Sequence, residues 1–181
     1  YVEPALVETE LEGADIELLM SEGYTPTYSD ERNPGNEYRC FVLDPELDED
    51  IYVTAMHPII DQLPIAHHVV LFTASRSDLS VTELGPQGFD CIDGGGGGDE
   101  IVGAWAPGMV PVEFPEGHGL KITDSQVFVV QMHYFSSGEA TDGLTDRSGY
   151  ALRTAPEVDK EIFLAPLWIF NFSIPAGEAS H

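Results

Sequence analysis

The stretch QVFVVQMHYF, residues Gln126–Phe135, is an almost unbroken apolar run with no glycine or proline. Its valine and aromatic side chains are typical of a buried or half-buried β-strand. A second run of the same kind, IAHHVVLF, contains the adjacent pair His67 and His68. Bare imidazoles are unfavourable in such strands unless they are paired or bind a metal. The two runs therefore indicate both a β-fold and a candidate metal site.

The rest of the chain repeats this strand-and-turn pattern. Short β-type runs alternate with turn signals such as Asn33-Pro34-Gly35, which favours an antiparallel sandwich. Residues 5–20 fit a short amphipathic helix, although IELLM within them also fits a strand. We therefore predict an all-β fold, an antiparallel jelly-roll β-sandwich of about eight or nine strands. The candidate strands are YRCFVL, IYVTAM, HHVVLFTA, SVTELG, EIVGAWA, HGLKIT, QVFVVQMHYF, GYALRTA and EIFLAPLWIFNFSI.

The chain is strongly acidic. Its 181 residues include 32 Asp and Glu but only seven Lys and Arg, for a net charge of −25, and 15 of the acids fall in the first 50 residues. We divide it into an acidic N-terminal segment, residues 1–14, and one jelly-roll domain, residues 15–181. Such a surface repels nucleic acid and anionic membranes. No apolar run reaches the roughly 20 residues that a membrane span requires.

The two cysteines, Cys40 and Cys91, are too far apart for a CxxC motif. A bridge between them would close a loop of about 50 residues and stabilise the fold by roughly 4 kcal/mol. It would also indicate a secreted, extracellular or periplasmic location. Two unrelated buried thiols are the alternative. The first residues, YVEPALVETE, lack the features of a signal peptide, but a mature product would look the same.

Three histidines, His67, His68 and His133, form the candidate metal site. Neighbouring side chains of a regular strand point to opposite faces. His67 and His68 therefore reach one metal only if the strand bulges, if they lie at its end, or if they bind through different ring nitrogens. Three imidazoles without a cysteine suit copper or zinc, and copper is favoured by the Irving–Williams order. Alternatively, one histidine of the pair is buried and hydrogen-bonded while the other is exposed. His57 and His118 are expected at the surface.

Other catalytic motifs are absent from the sequence. It contains no GxSxG, no Walker A motif, no GxGxxG opening a helix and no HExxH. The five-glycine run Gly94–Gly98 lacks the alternating ligands of an EF-hand loop, so we expect a surface loop there.

The chain contains, in this order, YRCFVL, DEDIYVTAMHP, AHHVVLF, FDC, AWAPG, FPEGHGLKI and VVQMHYF. In that order the segments resemble the copper type II, ascorbate-dependent monooxygenases, the family of peptidylglycine α-hydroxylating and dopamine β-hydroxylating enzymes. The resemblance covers about residues 15–180. Its most specific elements are the double-histidine segment and the Q-x-H-Y segment, and the ending IFNFSIPAGE is similar to the close of that family's N-terminal domain.

The resemblance implies a jelly-roll fold and a role for each of the three histidines. It implies that His67, His68 and His133 bind the family's first copper, the electron-transfer centre. Ascorbate or another one-electron donor reduces that copper, which passes its electron to a second copper where oxygen and substrate react.

The resemblance also implies a disulfide between Cys40 and Cys91, which fall where the family pairs two cysteines. Gln131 and Tyr134 flank the third histidine, and we expect them to orient it.

The family's second copper site has no counterpart in this sequence. The family's second domain supplies a His-x-His pair and a methionine, and no His-x-His occurs here. We therefore expect an electron-transfer domain that is not a competent hydroxylase on its own, with a missing catalytic domain or self-association as further partners. The alternatives are a copper carrier or sequestering protein, and a structural or assembly subunit with the same fold. Zinc could replace copper in any of these.

Overall fold

The computed structural model describes residues 10–78, 85–91 and 98–165, together with residues 167 and 177. Within these residues the chain is all-β, with eleven strands in two sheets and no helical residue. These ranges accordingly hold no helix long and apolar enough to cross a membrane. The strands are β1 Ile16–Leu19, β2 Asn36–Leu43, β3 Ile51–Ile59, β4 Ala66–Ser75, β5 Phe89–Asp90, β6 Glu100–Trp105, β7 Val112–Glu113, β8 His118–Ile122, β9 Gln126–Phe135, β10 Gly149–Ala155 and β11 Lys160–Ile162.

The strands form a six-stranded and a five-stranded sheet. The first has the order β1-β10-β3-β8-β11, with β7 also paired to β3, and the second has the order β5-β2-β9-β4-β6. The two sheets share one core cluster, to which Met56 and Leu152 contribute from the first sheet and Leu71 and Val130 from the second. The predicted all-β sandwich is confirmed, while its jelly-roll character stays a prediction.

Most local strand predictions are confirmed where the structure describes the chain, but of the described residues of EIFLAPLWIFNFSI only the first two are in a strand, and residues 163–165 are not. Eight strands have four or more residues, and β5, β7 and β11 are shorter. Residues 16–19 form the strand that IELLM allowed. The pairing of β8 with β11 is parallel, unlike the antiparallel pattern expected throughout. The predicted strand SVTELG, most of the glycine run and most of the segment after residue 165 lie outside the described residues.

Alternation along β9 separates the core from the outer face of the five-stranded sheet. Val130 and Met132 belong to the core between the sheets, whereas Val129 belongs to a second cluster that also contains Cys40. Because side chains alternate along a strand, Gln131 and His133 continue the row of Val129. The candidate site therefore lies on the outer face, away from the main core.

His57 is buried, so its predicted surface position was wrong. It is 6% exposed and lies in β3 between Ala55 and Ile59, two residues of a small cluster that also contains Leu11. The segment that precedes β1 thus packs over the face of β3 that carries His57. The local sequence around His57 does not indicate this contact. His118 is half-buried at the start of β8.

Candidate metal centre

A row of side chains crosses three adjacent strands at one end of the five-stranded sheet. The register places Tyr38 of β2 opposite His133 of β9, and His133 opposite His68 of β4. The row lies where β4 begins and β9 ends. Three strands distant in sequence therefore deliver two imidazoles and a phenol ring to one place.

A bulge at the start of β4 brings the third imidazole to the same place. Ala66 and His68 oppose consecutive residues of β9, and the register shifts between them, so His67 is the extra residue. Ala66 and Val69 both lie in the core between the sheets. The two residues between them, His67 and His68, can therefore share the outer face, by the first of the three routes that the sequence allowed.

The three imidazoles converge through their Nδ1 atoms. Nδ1 of His68 lies 3.1 Å from Nδ1 of His67 and 3.2 Å from Nδ1 of His133, and the three candidate ligand atoms all lie within 4.8 Å of one another. Two nitrogens bound to one metal at about 2.0–2.1 Å are about 2.9–3.6 Å apart for bond angles of roughly 90–120°. The two distances from His68 Nδ1 therefore fit a single ion shared by the three imidazoles.

Two residues of β2 hold the ring of His133. Asn36 Oδ1 lies 2.8 Å from His133 Nε2, and the Tyr38 ring stacks on the imidazole with centroids 4.1 Å apart and planes inclined by 10°. An amide oxygen only accepts, so Nε2 carries the proton in this hydrogen bond. In the neutral imidazole Nδ1 is then unprotonated and faces the other two histidines, as a metal ligand requires.

The other predicted site residues lie nearby with different contacts. The Cys40–Cys91 disulfide is present, as predicted. Gln131 Nε2 lies 3.4 Å from Cys91 Sγ, which places this side chain beside the disulfide. The Tyr134 hydroxyl donates to Asp146 at 2.9 Å, within the core. A role for Gln131 and Tyr134 in orienting His133 stays a prediction.

Sequence reasoning missed Asn36 and Tyr38. They precede Cys40 by four and two residues in β2, and alternation puts all three on one face. The shared face of these three residues could be predicted from the sequence. The pairing of β2 with β9, which places Asn36 and Tyr38 beside His133, could not be predicted in this way.

A buried carboxylate connects β9 to the segment that leads into the bulge. Asp146 Oδ1 accepts from the Ser148 hydroxyl at 2.7 Å and from the Gln62 amide at 3.1 Å, while Oδ2 accepts from Tyr134. The carbonyl of Gln62 in turn accepts from the amide of Ala66, the first residue of β4. Burial raises the pKa of Asp146, and its hydrogen bonds oppose that shift.

Sequence comparisons find peptidyl-glycine alpha-amidating monooxygenases among the proteins that this chain is similar to. The peptidyl-glycine alpha-amidating monooxygenase A of Xenopus laevis is 29% identical over 143 residues, 77% of this chain and 14% of that protein. Form B from the same species is 29% identical over 163 residues, 86% of this chain and 17% of that protein. The enzyme of Mus musculus is 27% identical over 177 residues, 94% of this chain and 17% of that protein. The chain thus spans only 14–17% of the length of these relatives.

The family comparison covers the whole of the histidine site. The profile described as copper type II ascorbate-dependent monooxygenase, N-terminal domain, matches residues 29–140, which is more than half of the 181 residues. The matched range includes all three histidines, both cysteines and the two residues that hold His133. The chain therefore belongs to the family of copper type II ascorbate-dependent monooxygenase N-terminal domains.

Proposed function

We propose that this chain is the copper-binding, electron-transfer domain of an ascorbate-dependent monooxygenase-like protein. The observation that carries the proposal is the convergence of three Nδ1 atoms, with neighbouring atoms 3.1 and 3.2 Å apart. The donor set suits copper, with zinc as the variant, and the family is described as copper-dependent.

The chain's own residues have distinct parts in this function. His67, His68 and His133 would hold the ion, and Asn36 fixes the proton of His133 on Nε2, away from the ion. Tyr38 covers one face of the His133 ring and so restricts its rotation. When bound, copper supplies one-electron chemistry, accepting an electron from ascorbate or another donor.

Hydroxylation itself is proposed to belong to a partner. The sequence has no His-x-His pair for a second copper, so the electron would leave for a catalytic domain outside these residues, or for a second copy of the chain. The disulfide supports a secreted, extracellular or periplasmic location. A chain of this kind cycles copper without hydroxylating glycine-extended peptides or phenethylamines.

A copper carrier is the second candidate, because one ligand faces solvent. His67 is exposed whereas His133 is buried, so an acceptor could approach the ion from the His67 side. Fast reduction by a one-electron donor separates the two functions, since a carrier binds copper tightly without rapid electron transfer.

The test is the metal content and Cu(II) EPR spectrum of protein purified without chelator. We expect one copper per chain with a tetragonal, nitrogen-rich signal that ascorbate bleaches. His133→Ala should lose the signal because it removes the buried ligand. His118→Ala is the matched control, since it removes a half-buried histidine of the other sheet. Equal copper in wild type and His133→Ala, or no affinity in either, would overturn the proposal.

A further inference from the structure

Two tyrosines stack on the core side of the five-stranded sheet, directly behind His133. Tyr134 follows His133 in β9 and is fully buried, whereas Tyr24 is 8% exposed. Their ring centroids are 5.9 Å apart and their planes are inclined by 29°, and the Tyr134 hydroxyl donates to Asp146 at 2.9 Å. We call these two residues the Tyr24–Tyr134 pair. The pair begins one peptide bond from a candidate metal ligand and ends at a ring with a small exposed area.

The hydroxyl of Tyr24 also donates to a carboxylate, and that carboxylate is held in place. Tyr24 donates to Oε1 of Glu37, a residue of β2. The other oxygen, Oε2, accepts from the backbone amides of Thr27 and Tyr28 at 2.9 and 2.8 Å. These two amides fix the carboxylate, so Oε1 stays directed at the phenol. Both hydroxyls of the pair therefore have a carboxylate in position to take their proton.

The charges around Tyr24 determine how it can be oxidised. Burial raises the pKa of Tyr24, and the hydrogen bond to Glu37 raises it further, so the side chain is a neutral phenol at neutral pH. Cζ of Arg39 lies 5.2 Å from the centroid of its ring. Loss of an electron alone would place a radical cation beside this guanidinium, and like charges repel. If the proton moves to Glu37 at the same time, the products are a neutral tyrosyl radical and a neutral carboxyl group.

A copper site of this kind is exposed to a strong oxidant. His67 faces solvent, and three imidazole ligands leave coordination positions open, so hydrogen peroxide can reach bound copper(I). Copper(I) supplies only one of the two electrons that reduce hydrogen peroxide to water. Without another source, the second electron comes from the nearest side chains, which are the ligands themselves. Tyrosine is oxidised only by oxidants much stronger than copper(II), so the Tyr24–Tyr134 pair stays reduced during ordinary electron transfer.

We propose that the Tyr24–Tyr134 pair supplies this second electron and so protects the three histidines from peroxide. The proposal rests on the proposed copper function and adds a protective activity to it. The O–O bond breaks, copper(I) and one tyrosine each lose one electron, and two water molecules form. The phenol proton moves to its carboxylate, and solvent supplies the two protons that the water molecules need. Ascorbate or another one-electron donor then returns the electron at Tyr24, and the carboxyl group returns the proton.

The first experiment measures oxidative damage to the ligands. Copper-loaded protein is reduced with ascorbate, desalted and treated with hydrogen peroxide, and oxidation of the three histidines is measured by peptide mass spectrometry. Tyr24→Phe keeps the stacked ring but removes the phenol, so ligand oxidation should rise several-fold. Tyr52→Phe is the matched control, because Tyr52 also donates to a carboxylate, Glu161 at 2.9 Å, but lies in the other sheet. Equal ligand oxidation in wild type and Tyr24→Phe, or an equal rise in both variants, overturns the proposal.

EPR spectroscopy of the same reaction identifies the oxidised residue. Samples frozen early should contain a tyrosyl radical, which ring-deuterated tyrosine identifies because it narrows the signal. The signal should weaken in Tyr24→Phe and stay unchanged in Tyr52→Phe. A signal that depends on Tyr52 and not on Tyr24 contradicts the proposal.

An experiment on metal-free protein tests the proton acceptor. Photogenerated tris(bipyridine)ruthenium(III) oxidises the chain, and the radical yield that is lost in Tyr24→Phe is the share carried by Tyr24. Glu37→Gln keeps the phenol but cannot take its proton, so it should remove the same share. The proposal fails if Tyr24 carries no share or if Glu37→Gln keeps it. Failure here leaves copper binding intact, whereas a chain that binds no copper fails the test of the proposed function and has no protective role.

Discussion

The imidazole of His133 is held from two sides by residues of a single strand. Asn36 accepts from its Nε2 and Tyr38 stacks on its face. Groups that orient a metal-bound histidine in this way typically affect metal affinity by about 10–100-fold. The position of His133 Nδ1 therefore depends on β2 as well as on its own strand.

Replacing Asn36 should weaken metal binding without removing a ligand. Asn36→Ala leaves the Nε2 proton of His133 without its acceptor, and we expect the dissociation constant for copper to rise about 10–100-fold. Asn36→Asp keeps an acceptor and should stay close to wild type. Competitive titration gives the affinities, and nitrogen-15 shifts of the His133 ring in metal-free protein report the proton position. An unchanged ring tautomer in Asn36→Ala would contradict this assignment.

Replacing one carboxylate oxygen of Asp146 with the amino group of an asparagine should lower the stability of the fold. Its two oxygens accept from the Gln62 and Ser148 amides on opposite sides, so the amino group of Asn would face one of those N–H groups whichever way it turned. Asp146→Asn leaves that donor unpaired, which costs about 1–3 kcal/mol in the free energy of unfolding. Urea denaturation measures the loss, and Asp142→Asn, a change at an exposed aspartate, serves as the control.

The same residue should give stability a definite pH dependence. Burial raises the pKa of Asp146 above the ordinary 3.8, so the folded chain binds this proton more tightly than the unfolded chain. The contribution of protonated Asp146 to the free energy of unfolding is therefore fully present below about pH 3.8. It is lost as the pH rises through the pKa of this residue in the folded chain. The difference in unfolding free energy between wild type and Asp146→Asn should shrink as pH rises over that window. A difference that grows would contradict the assignment.

At the scale of elements, the positions of most strands could be predicted from the sequence, whereas the pairing between strands could not. QVFVVQMHYF and HHVVLFTA were readable because β-branched and aromatic residues cluster there without breakers. The three candidate ligands could be identified from the sequence because imidazoles are rare in such runs. The contact of Asn36 with His133 depends on which strand lies beside β9. The burial of His57 depends on the segment that packs over β3. Both are long-range contacts, which local sequence does not encode.

The pairing of the edge strand β1 with β10 requires a residue without a side chain at position 149 of β10. A Cβ at Gly149, the first residue of β10, would lie 1.9 Å from the carbonyl oxygen of Leu18. Gly149→Ala should therefore displace β1 and lower stability by about 1–3 kcal/mol. Hydrogen exchange should show lost protection at residues 16–19 while β4 and β9 stay protected. Gly143→Ala, with open space around its Cβ position but a positive φ, controls for backbone strain alone.

At the scale of the whole molecule, self-repulsion is the dominant electrostatic feature. A charge of −25 with most basic groups already paired favours the expanded chain. Added sodium chloride should therefore raise the melting temperature at neutral pH, by about 2–4 °C for each kcal/mol of repulsion that is screened. Calorimetry at several salt concentrations measures this. Near pH 4.1, the isoelectric value of the sequence, the salt effect should vanish, and a salt effect of equal size there would contradict the explanation.

The bulge at His67 also suggests how such a centre can arise. Ala66 faces the core, and His68 opposes His133 as in a regular ladder, so a chain lacking only residue 67 would keep every other pairing of β4 with β9. Such a chain would be an ordinary sandwich with two neighbouring histidines. Insertion of a single codon into it supplies the third imidazole and leaves the packing between the sheets unchanged. Gain or loss of the three-imidazole cluster in this fold therefore requires one small genetic change, and the scaffold is preserved in either case.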